Sequence, residues 1–90
     1  MSDVRNNEAE SRFELETGGH VAVAHYELSG NVITFTHTEV PSALSGQGIG
    51  SRLAKGALEL VRARHLKAVA QCPFIAGYIG KHAEFQDLLK

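Results

Sequence analysis

From Arg12 to Glu16 charged and apolar residues alternate, Arg-Phe-Glu-Leu-Glu. That is the period of a strand with one buried face. Thr17-Gly18-Gly19 follows as a turn, where glycine accepts the positive φ such turns need. His20 to Leu28 alternates again, with Val21, Val23, His25 and Glu27 on one face and Ala22, Ala24, Tyr26 and Leu28 on the other. Ser29-Gly30-Asn31 is a second turn, and Val32 to Val40 is a third strand rich in β-branched residues. Strict alternation there puts His37 and Glu39 on the face of Ile33 and Phe35. Strands joined by such short turns predict an antiparallel meander. Pro41 ends the ladder, having no N–H to donate, and residues 41–48 form a loop.

A helix is predicted to begin between Gly48 and Gly50. Ile49, Leu53, Ala57, Leu60 and Ala63 form one apolar row, and Ala54, Leu58 and Val61 a second. His65 falls at or near its end. Lys67 to Cys72 reads as a short strand, stopped by Pro73. A strand, helix and strand of these lengths imply a right-handed crossover that places the last strand parallel to the third. Phe74 to Lys81 reads as a short helix weakened by Gly77 and Gly80, and residues 83–89 as a final turn or helix. The expected fold is therefore α+β: a three-strand antiparallel meander, a crossover helix, a parallel fourth strand and short C-terminal helices. The polar residues 1–10 are expected to be a flexible tail, and residues 11–90 one domain.

Composition narrows the function. Ninety residues suffice for one small core, and a net charge of −1, from 9 Lys+Arg against 10 Asp+Glu, lacks the basic excess of a nucleic-acid or membrane-surface binder. No apolar run approaches the ~18–20 residues of a membrane span. The polar N-terminus lacks the basic and apolar regions of a signal peptide, so a cytoplasmic protein is expected. One cysteine, Cys72, cannot form an internal disulfide. The five histidines show no paired ligand spacing, and no metal is expected. His20 and His25 read most simply as strand residues, Lys81 and His82 as a solvated helix end.

The chemistry lies in Ser45-Gly46-Gln47-Gly48-Ile49-Gly50-Ser51-Arg52, between a β-branched strand and an amphipathic helix. Alternate glycines clear side chains from the backbone. The helix start adds unpaired N–H groups and a partial positive charge. Together they suit a phosphate or diphosphate, with Ser51 and Arg52 as further donors. The loop lacks the spacing of a dinucleotide fingerprint and the Gly-Lys-Ser/Thr of a P-loop. On these residues alone, a plain glycine-rich helix start remains the other reading.

The run Val40-Pro41, then Ser45 through Ala54, amphipathic helix and short strand resembles motif A of the GCN5-related N-acetyltransferases. His37-Thr38-Glu39-Val40-Pro41 and Cys72-Pro73-Phe74-Ile75-Ala76-Gly77-Tyr78-Ile79 resemble, more narrowly, the short YjdJ-like or N-acetyltransferase domain-containing protein 1 type. The resemblance covers residues 12–89. It implies acetyl-CoA as donor, with its diphosphate on the backbone of Gly46, Gln47, Gly48, Ile49, Gly50 and Ser51, near Arg52. It implies a pantetheine arm along Thr38, Glu39 and Val40, and a thioester in a gap between the two parallel strands. Ser45 stands where the family usually has Arg or Gln, which removes a long donor. The acceptor-shaping elements of larger relatives are missing, so an open groove is expected, with a protein lysine, an N-terminus or a small amine as acceptor.

Acetyl transfer needs a free amine near the thioester carbonyl, a donor for the oxyanion and a proton for the departing thiolate. The resemblance places a reactive cysteine at Cys72, which could carry the acetyl group briefly, and a thiolate-protonating tyrosine near Tyr78. His37 and Glu39, just before the loop, are candidates to relay a proton, and His37 to polarise Cys72. The expected function is a small acetyl-CoA-dependent N-acetyltransferase. A CoA-binding module without turnover is the alternative, and an interaction domain without ligand a third class.

Overall fold

The computed structural model describes residues 3–90. Strands β1 (Arg5–Asn7), β2 (Arg12–Thr17), β3 (His20–Ser29) and β4 (Val32–Glu39) are followed by helix α1 (Ile49–Ala63), strand β5 (Lys67–Ala70) and helix α2 (Pro73–Lys81). Short 3-10 turns occupy Glu8–Glu10, Ser42–Leu44 and Ala83–Leu88. The sheet runs β1-β2-β3-β4-β5, with β4 and β5 parallel and the other pairs antiparallel. This is the α+β arrangement expected from the pattern, with one strand more.

The added strand is β1, which lies within the segment expected to be a tail. Arg5 pairs with Glu14 and Asn7 with Arg12. Glu14, only 3% exposed, explains the pairing. Its carboxylate accepts bonds from Arg5 Nε (3.0 Å), Asn7 Nδ2 (2.9 Å) and Arg12 Nε (2.7 Å). Those bonds, Asn7 and Arg12 foremost, hold its pKa down from 4.5 to about 2 against the opposing effect of burial. Polar residues resembled a solvated tail because their partner lies on another strand. Met1 and Ser2, the start of that segment, lie outside the described residues.

The β2–β3 hairpin turns through Gly18 and Gly19 at φ +58 and +78, as a two-residue turn matched to strand twist requires. One sheet face supplies Phe13, Leu15, Ala22, Ala24, Tyr26, Ile33, Phe35 and Ala68 to the core. Phe13 stands at its centre, with ring centroids 5.1 Å from Tyr26 and 5.8 Å from Phe35. Helix α1 adds Ile49, Leu53, Ala54, Ala57, Leu58 and Val61, the apolar rows seen in the sequence. Each large side chain so buried contributes about 1.5–3 kcal/mol. The helix ends where His65 takes φ +58 and Leu66 N–H bonds back to Val61 O at 3.0 Å, a left-handed cap.

Strand β4 is not regular. Its pairing runs His25↔His37 and then Tyr26↔Phe35, so one step on β3 meets two on β4, and Thr36 is the extra residue. A bulge of this kind turns the strand and reverses which face later residues occupy. His37 and Glu39 therefore share a face with His25, opposite Phe35, contrary to the face expected from strict alternation. Thr38 takes the inner face, paired with fully buried Ala24. Among the described residues, no helix is long and apolar enough to cross a membrane.

Candidate functional site

The β4–β5 ladder begins at Val32↔Lys67 and stops at Phe35↔Ala70. There the N–H groups of Gln71 and Cys72 both converge on Phe35 O, each at 3.0 Å. Beyond that point β5 turns into α2, while β4 continues through the bulge to Glu39. The backbone of residues 36–40 on the β5 side is left without a ladder partner. The strands thus open at their C-terminal ends, the usual ligand position in parallel α/β units. Strand bounds shift accordingly: β4 ends one residue before Val40, and Cys72 caps α2 instead of ending β5. Pro73 does stop the strand, and it also opens the helix at its first position.

Cys72 is 3% exposed, and its Sγ lies 3.2 Å from Thr38 Oγ1 across the opening. This hydroxyl is the thiol's partner, a role the sequence reading did not foresee because it needed the bulge. His37 does not reach Cys72. It sits on the other face, where its ring stacks on His25 at 5.6 Å and its Nε2 lies 2.6 Å from Glu39 Oε2. The His37 hydrogen bond lowers the Glu39 pKa below the ordinary carboxylate range. Tyr78 is buried in α2, with its ring 3.8 Å from His82 and 6.1 Å from Phe85 in the C-terminal segment. Burial, then the nearby charges of Glu84 and Glu59, raises its pKa.

The glycine loop starts α1 one strand-end away from the thiol. Gly46 and Gly48 hold φ +79 and +72, and Gly48 caps the helix with no side-chain hydrogen bond to its first turn. Among the described residues, a Cβ added at either glycine would meet nothing within 4 Å beyond its chain neighbours. Glycine supplies the left-handed backbone this turn requires, and a helix start of this kind carries unpaired main-chain amides that suit an anion. Ile49 is buried at 3% and Leu44 at 4%, so these side chains anchor the loop and leave its main chain as the surface. Gln47 folds back toward Ala43 O at 3.4 Å. Ser51 is exposed at the first turn. Arg52 is held elsewhere, with Nη2 2.5 Å from Asp3 Oδ2. Gly50 differs from its neighbours. Its missing Cβ is filled by the Phe74 ring, whose Cζ would stand 2.8 Å away. Val40, 37% exposed, lies just past the end of β4. Among the described residues, no three His, Cys, Asp or Glu side chains are grouped to hold a metal ion.

Comparison with known proteins matches this arrangement. The sequence model of the GCN5-related N-acetyl-transferase family fits residues 12–88. The chain belongs to that family. It is similar to Protein NATD1 of Gallus gallus, 44% identical over 59 residues, covering 64% of this chain and 54% of that protein. Protein NATD1 of Homo sapiens gives the same identity and covers 52% of its own length. The chain thus spans about half the length of these curated relatives. With Protein NATD1 of Danio rerio the match is 32% identical over 88 residues, 94% of this chain and 80% of that protein. The NMR solution structure of a GCN5-like protein from Staphylococcus aureus superposes with a TM-score of 0.72 at 30% identity, covering 100% of this chain and 91% of that one. The family assignment and the GCN5-related α+β fold expected from the residues are both shown by these matches.

Proposed function

We propose that this chain is an acetyl-CoA-dependent N-acetyltransferase acting on an amine. The opening between β4 and β5, set beside an uncapped helix start, carries the reading. The family generally uses acetyl-CoA, whose diphosphate and extended arm call for a helix start beside an unpaired strand edge. Main-chain amides of residues 46–51 would hold the diphosphate. The unpaired backbone of residues 36–40 would hold the pantetheine arm as an added strand does. Cys72 and Thr38 would lie at the thioester end.

Acetyl-CoA supplies the acyl group. In transfer, an amine nitrogen forms a bond to the acyl carbon, the carbon–sulfur bond breaks, and in net terms one proton passes from the amine to the departing sulfur. His37, on the sheet face opposite Thr38 and Cys72, would accept the proton of an amine that approaches from that face. With Nε2–H donating to Glu39, Nδ1 is left with a free lone pair, and ionised Glu39 steadies the ring when it becomes cationic. The Thr38 hydroxyl, 3.2 Å from Cys72 Sγ, would hydrogen-bond the departing thiolate, which takes its proton from water while His37 returns its own to solvent. A covalent route through Cys72 Sγ uses the same groups in two steps: the acetyl group moves to Sγ with release of CoA thiol, and the amine then takes it. Tyr78, packed against the C-terminal segment, has no part in this scheme.

Incubation with acetyl-CoA and a panel of amines, read by thiol release and intact mass, tests the reading. Thiol release with an acetylated amine is expected. CoA binding with no acetyl transfer to Cys72 or to any amine would establish the non-catalytic binding module instead.

A further inference from the structure

Phe74 is a large apolar side chain left 44% exposed, two residues after Cys72, and its ring rests on Gly50 in the first turn of α1. It therefore joins the start of the helix that carries the glycine loop to the start of the helix that Cys72 caps. Gly50 has no positive φ to account for it, unlike Gly46 and Gly48. A helix position of ordinary φ prefers alanine over glycine. An alanine there would displace the ring: an added Cβ would come within 2.8 Å of Cζ and 3.3 Å of Cε2. In a helix the Cβ direction leans toward the N-terminus, so the ring sits on the side of Gly50 that faces the start of α1. Val40, also exposed, stands past the end of β4 on the opening's other strand.

Resting on the acetyl-CoA reading, we infer that Phe74 is a specificity-determining wall for the pantetheine arm between the α1 amides and Cys72, and that Gly50 is glycine to seat this ring. An apolar ring face on that path shields the arm's methylene and amide groups from water, while the diphosphate stays on main-chain amides. Phe74 would then matter for CoA and not for ADP, which has the diphosphate and no arm.

The test is calorimetric binding of CoA and ADP to the unaltered chain, Phe74→Ala, Gly50→Ala and the double variant. Phe74→Ala should weaken CoA about tenfold, the scale of one lost apolar ring contact, and leave ADP unchanged. Gly50→Ala should weaken CoA by displacing the ring, and in the Phe74→Ala background it should add nothing. Equal CoA affinity for Phe74→Ala and the unaltered chain would overturn the inference. So would an equal loss for CoA and ADP, or a further loss from Gly50→Ala once the ring is gone. If the unaltered chain bound no CoA, the acetyl-CoA reading itself would fall, and this inference with it.

Discussion

Placing a side chain at Gly48 should separate the ligand's claim on the loop from the fold's. Gly48 sits at φ +72, where an L-residue costs about 1–2 kcal/mol, more for a β-branched one. Beyond its chain neighbours, no described residue lies within 4 Å of the added Cβ, so strain of φ is the main structural cost. A domain of this size loses about 4–8 °C in Tm per kcal/mol, and it stays folded at room temperature if its stability is the usual ~5 kcal/mol or more. Gly18 provides the control: its φ is +58, it too has open space at Cβ, and it lies in the β2–β3 turn. Gly48→Ala and Gly18→Ala should therefore lose similar stability in urea titrations. Only Gly48→Ala, and more strongly Gly48→Val, should lose CoA affinity by calorimetry, by about tenfold or more, equal to some 1.4 kcal/mol or above. CoA binding by Gly48→Val as tight as by Gly18→Ala would refute the main-chain amides as the diphosphate seat.

Cys72→Ala should bind CoA nearly as the unaltered chain does but turn over more slowly, with no acetylated protein in intact-mass spectra; unchanged turnover would leave direct transfer as the route. Thr38→Val keeps the side-chain volume and removes the hydroxyl 3.2 Å from Sγ, so turnover should fall while KM for acetyl-CoA holds. Glu14 makes the fold acid-sensitive. Its pKa is lower folded, about 2, than the ordinary 4.5, so its stabilisation is complete above about pH 4.5 and fades as pH falls toward 2. Glu14→Gln should cost on the order of 2 kcal/mol at pH 7, discounted because Arg5 is largely in water. Its urea midpoint should change less between pH 5 and pH 2.5 than that of the unaltered chain; parallel curves would show that the carboxylate is not the source.

Much of the architecture was legible along the chain because hydrophobic period is a local property. The alternation in β2 and β3, the apolar rows of α1, the stop at Pro73 and the turn at His65 each follow from residues within a few positions of one another. The glycine loop was legible for the same reason: backbone that needs positive φ at Gly46 and Gly48 must carry glycine there. The site's side chains were less so. His37 and Glu39 were assigned to the face of Phe35 because a bulge at Thr36 leaves no mark in the pattern of Thr-Phe-Thr-His-Thr-Glu. That the Phe74 ring fills the place of a Cβ at Gly50 is likewise a contact no local pattern shows.

Sequence alone determined the order of elements from β2 onward, the parallel crossover and the glycine loop that starts α1, since period, turn chemistry and helix-start geometry act over short distances. Tertiary structure alone decided that residues 5–7 join the sheet, that Thr38 and not His37 meets Cys72, and that Phe74 spans the two helix starts. Each of those rests on a contact between residues distant in the chain. Such contacts exist only after the strands have chosen their register, and one extra residue in β4 was enough to set it.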